Sequence, residues 1–445
     1  MSDPVIRSLR ARRVWDSRGR PTVEAEIALS DGAVGRGIAP AGASRGSREA
    51  VEKRDGGPRL GGLDVQNALA GIRAEIAPAL LGADPFDQLA LDRMLVALDG
   101  TPALERLGGN ALTAVSLAAL HAAAASRKVP LWRYLNGDGP ALIPLPEIQI
   151  FGGGAHAGRR TDVQDFMVVA PRAKSFAEAL ETTAEIYHAA GRIMADRGLL
   201  RGVADEGGWW PAFSSNEQAL DTLMLAIERA GLAPGEDAAI SLDVAASEFG
   251  RGGVYRLGLE KRELDRDGLA DMLLSWCSRY PIVSIEDPFA EDDTQGFQRF
   301  MAAIGDRVQV IGDDLLVTNA GRVREAARAR TANAVLIKVN QAGVVSDAKA
   351  ACEAGRVCGF GTIVSARSGE TEDTSIVDLA IGWGAGQLKV GSFSRSERMA
   401  KWNEVLRIEE ALGRDARFAG LDELPAGGRG ARRGARETTT TGGGR

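Results

Sequence analysis

The stretch at residues 281–293, PIVSIEDPFAEDD, constrains the fold of this chain more than any other. Its β-branched run, Ile282, Val283 and Ile285, has the pattern of a strand buried on both faces. The run stops on Glu286 and Asp287, and Pro288 cannot continue a ladder. An isolated buried carboxylate is costly, so acids at the mouth of a buried strand need a cation or open water. Residues 239–249 and 308–316 repeat the design and deliver Asp243, then Asp313 and Asp314. Solvated strand ends would explain any one of these. Three in succession point to a hard-cation site built from oxygen ligands, which suits Mg²⁺.

At 445 residues the chain has the length of a barrel plus a second domain. Its net charge of −6 leaves no electrostatic footprint for nucleic acid. No apolar run approaches the ~20 residues of a membrane-spanning helix. Cys277, Cys352 and Cys358 lack metal-ligand spacing and read as reduced thiols, and the start MSDPVIRSLR lacks the apolar core of a signal peptide. A cytoplasmic protein is expected.

Residues 5–39 read as three strands around a Ser17–Pro21 turn, followed by a glycine-containing loop at 39–46. Helices are expected over 63–81, from the Asp84-Pro85 cap onward, and over 110–128. Strands first and helices after predict an α+β domain over 1–137, with NGDGP as the linker. From Ile143 short apolar runs alternate with amphipathic helices, the runs ending at Gly152, Pro171, Ala204, Asp243, Glu286, Asp313, Lys338, Ser365 and Lys389. This is the rhythm of an α/β fold, a (β/α)8 barrel over 138–424 whose site lies at the strand C-termini. Residues 425–445 lack apolar side chains other than alanine and are expected to form a disordered basic tail.

Lys338 and Lys389 close late strands on the rim that carries the three acids. An unperturbed lysine, with a pKa of about 10.4, is a poor base at neutral pH. A second ammonium and a divalent ion nearby would bring it into a working range. Glu206, in ADEGGWWP, is a candidate acid on the opposite side, and Arg367 with Ser368 suits a phosphate or carboxylate. Such a set could ionise a carbon acid beside a carboxylate and expel a β-hydroxyl.

The motifs DSRGRPTVE (16–24), GASRG (42–46), HAG (156–158), QDFM (164–167), DEGG (205–208), SIEDPFAEDD (284–293), LIKVNQ (336–341), RSGETEDT (367–374) and RSER (395–398) occur in the order of the enolase family, which the chain resembles from about Val5 to Gly420. Enolase-superfamily sites use a Lys or His base with Mg²⁺. The resemblance implies an N-terminal α+β capping domain, an enolase-type barrel with altered first strands, two Mg²⁺ ions, and a homodimer or larger homo-oligomer. By the same resemblance Asp243, Glu286 and Asp313 match the first-metal ligands, and Ser44 the loop serine that joins the second. Lys338 matches the base at C2 and Glu206 the acid at the leaving hydroxyl. Lys389 and Gln164 match the groups around the substrate carboxylate, Arg367 and Ser368 the phosphate pair, and His156 the mobile-loop histidine.

Four departures fall near this site. Arg45 replaces a threonine, Arg159-Arg160 replaces at least part of a glycine pair, Asp165 shortens a glutamate, and Ala366 stands in place of a histidine. Drift in an ordinary or decayed enolase would account for them. Alternatively, Ala366 opens space beside the phosphate while Arg45, Arg159 or Arg160 adds positive charge suited to an extra carboxylate. On that basis the expected activity is that of carboxyphosphonoenolpyruvate synthase, in phosphinothricin-type antibiotic biosynthesis. The alternatives are a housekeeping glycolytic enolase and a non-catalytic enolase-like binding protein.

Overall fold

The computed structural model describes residues 3–424. The expected basic tail, 425–445, lies outside the described residues. Strands Ile6–Trp15, Pro21–Leu29 and Val34–Ile38 form an antiparallel sheet in sequence order. The first turn is closed by Asp16, whose Oδ1 accepts from the N–H groups of Arg18 and Arg20 at 2.9 Å each. The alanine-rich helix Gly109–Arg127 packs on this sheet closely enough that a Cβ at Gly35 would meet the Ala122 nitrogen at 2.1 Å.

Helical structure over 66–80 passes through a π turn at Ile72–Ile76, just before Pro78, which has no N–H to give. The Asp84-Pro85 pair does not open the next helix. Asp84 Oδ1 instead accepts the Phe86 N–H at 2.8 Å, making a local turn, and the helix begins at Gln88 under an Asp87 cap.

The larger unit is a closed barrel of strands Leu145–Gly152, Asp165–Val169, Ala239–Asp243, Ile282–Glu286, Gln309–Gly312, Ala334–Ile337, Gly361–Ser365 and Gln387–Gly391. Pairing between the last and the first closes it. The second strand runs against both neighbours, placing Asp165 opposite Gly152 and Asp243. Its rim end is therefore its start, Asp165, and not Pro171 as the run pattern suggested. The run ending at Ala204 is not a stave. Leu200–Val203 pairs with Trp209–Pro211 in a hairpin appended to the first strand, and Glu206 lies in its loop.

The staves are less uniformly apolar than β-branched runs imply. Below the rim the interior carries Glu147, Ser241, Ser284, Gln309 and Gln387, all buried. Gln309 and Gln387 exchange two amide hydrogen bonds of 2.9 Å, and Ser241 donates to Glu147 at 3.0 Å. Ser241, Ser284, Gln309 and Gln387 find partners within this set, as buried polar groups require, whereas Glu147 Oε1 has no hydrogen-bond partner.

Candidate active site

Six charged groups meet at the rim, five from strand ends and Lys389 from inside the last strand, Gln387–Gly391, rather than from its end as the run pattern suggested. Lys389 Nζ lies 2.8 Å from both Asp243 Oδ2 and Glu286 Oε2, and 3.8 Å from Asp165 Oδ2. Lys338 Nζ lies 2.5 Å from Asp313 Oδ2. Gln164 Nε2 donates to Asp243 at 3.1 Å and Gln341 Nε2 to Asp313 at 2.8 Å. Burial, then the neighbouring Asp243 charge, pushes the Glu286 carboxyl well above its usual range despite Lys389. Burial would raise Asp313 as well, but Lys338 and then Arg367 hold it low. Both lysines are raised against their own burial, Lys338 by Asp313 and Lys389 by Asp243 and Glu286. This is the opposite of the downward shift expected for a working base, because the carboxylates outweigh the second ammonium.

Glu286 Oε1 is buried without a hydrogen-bond partner. An oxygen-only donor set with an orphaned carboxylate oxygen fits a hard divalent cation. Asp287, adjacent to Glu286, accepts the N–H groups of Asp313 and Asp314 at 3.0 and 2.7 Å and so fixes the loop that presents Asp313. Carboxylate oxygens of Asp287, Asp313 and Asp314 lie within 4.8 Å of one another.

A second cluster joins His156, Asp165 and Glu206. His156 Nδ1 is 3.1 Å from Asp165 Oδ1 and Nε2 is 3.7 Å from Glu206 Oε1. Asp165 also accepts from Gln149, whose Oε1 in turn takes the Gly208 N–H at 2.8 Å. The short side chain of Asp165 is thus fully engaged on one oxygen, while Oδ2 has no hydrogen-bond partner. Burial opposes the His156 charge, but Glu206 and Asp165 outweigh it and raise the imidazole to about 9. Because the folded value exceeds the unfolded one, this pairing stabilises the fold fully below about pH 6.5. That contribution is lost as the pH rises through about 9. Melting temperatures of wild type and His156→Gln are therefore expected to converge between pH 7 and 10, and a constant gap would contradict it.

Arg367 and Ser368 lie together, oriented from behind by Arg398, which donates to their carbonyls at 2.7 and 2.6 Å. Arg367 Nη1 donates to Glu49 Oε2 (2.9 Å) and Asn340 Oδ1 (3.1 Å), and Nη2 to the Ser44 carbonyl (3.0 Å) and Glu49 Oε1 (3.3 Å). Ser368 Oγ accepts from Arg18 at 3.1 Å. Ser44 thus reaches Arg367 through its backbone. Arg45, Arg159 and Arg160 are solvent-exposed. Arg159 pairs with Glu248 at 2.8 Å, and Arg45 lies 3.9 Å from Glu52. Glu49, Arg18 and Gln149 escaped the sequence reading of the site. Glu49 acts on a residue 318 positions away and no local pattern announces it. Asp287 reads from the sequence as an acid at the strand mouth beside Glu286, but its part in holding the Asp313 loop does not.

A closed barrel whose rim joins carboxylates, two lysines and a buried arginine defines an α/β-barrel protein with groups able to hold a cation and move a proton. The family model for the enolase N-terminal domain matches residues 6–135, and that for the enolase C-terminal TIM barrel domain matches residues 140–426. Enolase 1 of Desulfitobacterium hafniense (strain Y51) is 49% identical over 426 residues, covering 95% of this chain and 98% of that protein. The chain belongs to the enolase family, and it is a hydro-lyase.

The same finding overturns the expected carboxyphosphonoenolpyruvate synthase activity and its antibiotic pathway, since full-length identity of this order is to an ordinary enolase. The physical basis for that expectation is also weak. Arg159 is paired with Glu248 at 2.8 Å and Arg45 lies 3.9 Å from Glu52, so both of these added charges already have an acidic neighbour.

Proposed function

We propose that the protein dehydrates 2-phosphoglycerate to phosphoenolpyruvate as a housekeeping glycolytic enolase. The observation that carries this reading is the pairing of two buried lysines with the carboxylates of Asp243, Glu286 and Asp313 on one rim. Lys338 takes the proton from the carbon beside the substrate carboxylate, and Glu206 protonates the departing hydroxyl. Lys389 and Gln164 hold that carboxylate, and Arg367 with Ser368 holds the phosphoryl group. His156 closes the Glu206 side through its contact with that acid. Asp243, Glu286 and Asp313 would hold Mg²⁺, with Ser44 available to a second ion from its loop. Bound there, Mg²⁺ would offset the second negative charge that the substrate carboxylate acquires on proton loss.

Among the described residues no helix is long and apolar enough to cross a membrane. The proposed setting is the cytoplasm, with a small phosphorylated carboxylate as substrate. A homodimer or larger homo-oligomer is the proposed assembly. Purified protein with 2-phosphoglycerate and Mg²⁺ is expected to produce enol absorbance in the ultraviolet, abolished by EDTA and restored by Mg²⁺. No turnover in the presence of Mg²⁺ would remove this function.

A further inference from the structure

We infer that Glu49 is a positioning residue for the anion site, its carboxylate holding the Arg367 guanidinium and the Ser44 loop in the arrangement that receives a phosphoryl group. This rests on the proposed phosphate role of Arg367. Both partners are buried, Arg367 at 4% exposure and Glu49 at 7%, and they lie 318 positions apart in the chain. Four N–H groups converge on Glu49: Arg367 Nη1 and Nη2, the Gly46 N–H at 3.0 Å and Gln341 Nε2 at 3.2 Å. Only an acceptor without hydrogens of its own, a carboxylate, satisfies such a set.

Gln341 also donates to Asp313, so Glu49 ties the arginine to the carboxylate cluster through a single side chain. The loop can approach this closely because residue 42 is glycine, where a Cβ would lie 2.0 Å from Arg367 Nη2. A buried ion pair is weak evidence for stability, since apolar packing often does as well. Its geometry is therefore the informative part. Glu49 and Asn340 fix the plane of the guanidinium, while the neutral Ser44 carbonyl is the partner an anionic phosphoryl oxygen would displace.

The test is Glu49→Gln, nearly equal in shape but with an amide that turns N–H groups toward other donors. Calorimetric titration with inorganic phosphate and steady-state kinetics with 2-phosphoglycerate are both measured. The phosphate Kd and the KM are each expected to rise by roughly 10-fold or more, with kcat within about 3-fold of wild type. In an Arg367→Ala background the same change should add less than about 2-fold, because the two residues act as one unit. A purely structural role would lower the melting temperature without this split. If Glu49→Gln fails to fold, Glu49→Asp is expected to show the same rise in phosphate Kd. Unchanged or tighter phosphate binding in a folded variant would overturn the inference, as would wild-type protein that does not bind phosphate. Phosphate binding without turnover of 2-phosphoglycerate would instead strike only the proposed reaction.

Discussion

Replacement of Lys338 by alanine is expected to reduce turnover of 2-phosphoglycerate by roughly 10²- to 10⁴-fold, the usual worth of a placed general base. The expected loss lies in kcat, because in the resting site the ammonium contacts Asp313 and the phosphate and carboxylate groups are left to other side chains. Two opposing influences set the proton affinity of this lysine. Asp313 raises it, while burial and the charges of Arg367 and Lys389 lower it. Hydrogen exchange at C2 in deuterated water separates the base from the acid. Lys338→Ala should abolish the exchange, whereas Glu206→Gln should retain exchange and still fail to release product. Asp313 keeps Gln341 as a hydrogen-bond partner in the Lys338 variant, so folding should survive and circular dichroism can confirm it. Exchange persisting in Lys338→Ala would assign the proton transfer to another group.

The rim was legible because buried strands that end on charge break a strong rule. Asp243, Glu286 and Lys338 each follow an apolar run and stand at a strand C-terminus. Lys389, preceded only by Gly386, Gln387 and Leu388, instead lies inside the strand Gln387–Gly391 and not at the end of a run. Run counting failed where direction mattered. A short strand reads the same in either direction, so nothing in residues 165–169 announces that Asp165 opens an antiparallel stave. The hairpin containing Leu200–Val203 was miscounted for a related reason, since an apolar run does not state which sheet it joins.

The departures were read as chemistry because of the residue types alone. Arginine near a phosphate site suggests anion recognition, yet each long side chain has several directions available on a loop. The exposed Arg159 finds Glu248, a partner no spacing rule would have selected. Glu49 shows the converse, an unremarked acid in the N-terminal loop that meets a barrel arginine only once both units have folded. Local pattern therefore reported which groups would sit at strand ends, and tertiary approach decided which of the loop charges joined them.

Lys389→Ala should give the largest loss of stability among these variants. Its ammonium is the cation that Asp243 and Glu286 share at 2.8 Å, with Asp165 at 3.8 Å. Removing one member of a buried pair leaves uncompensated charge and typically costs about 3–5 kcal/mol. The loss should grow with pH, because Glu286 is already held well above its usual range and would titrate without its counter-ion. Mg²⁺ provides the discriminating measurement. If the three carboxylates are a cation site, the ion replaces the missing ammonium, and binding at ~100-fold over Kd restores about 2.7 kcal/mol. Wild type gains less, since Lys389 competes for the same oxygens. Thermal melts of both proteins with EDTA and with Mg²⁺ should therefore show a wide gap in EDTA that narrows on adding the ion. Lys389→Met, of similar length but uncharged, should behave as the alanine variant does. An equal Mg²⁺ shift in wild type and variant would mean that the lysine and the metal do not share these oxygens, and the assignment of Asp243 and Glu286 as ligands would fall.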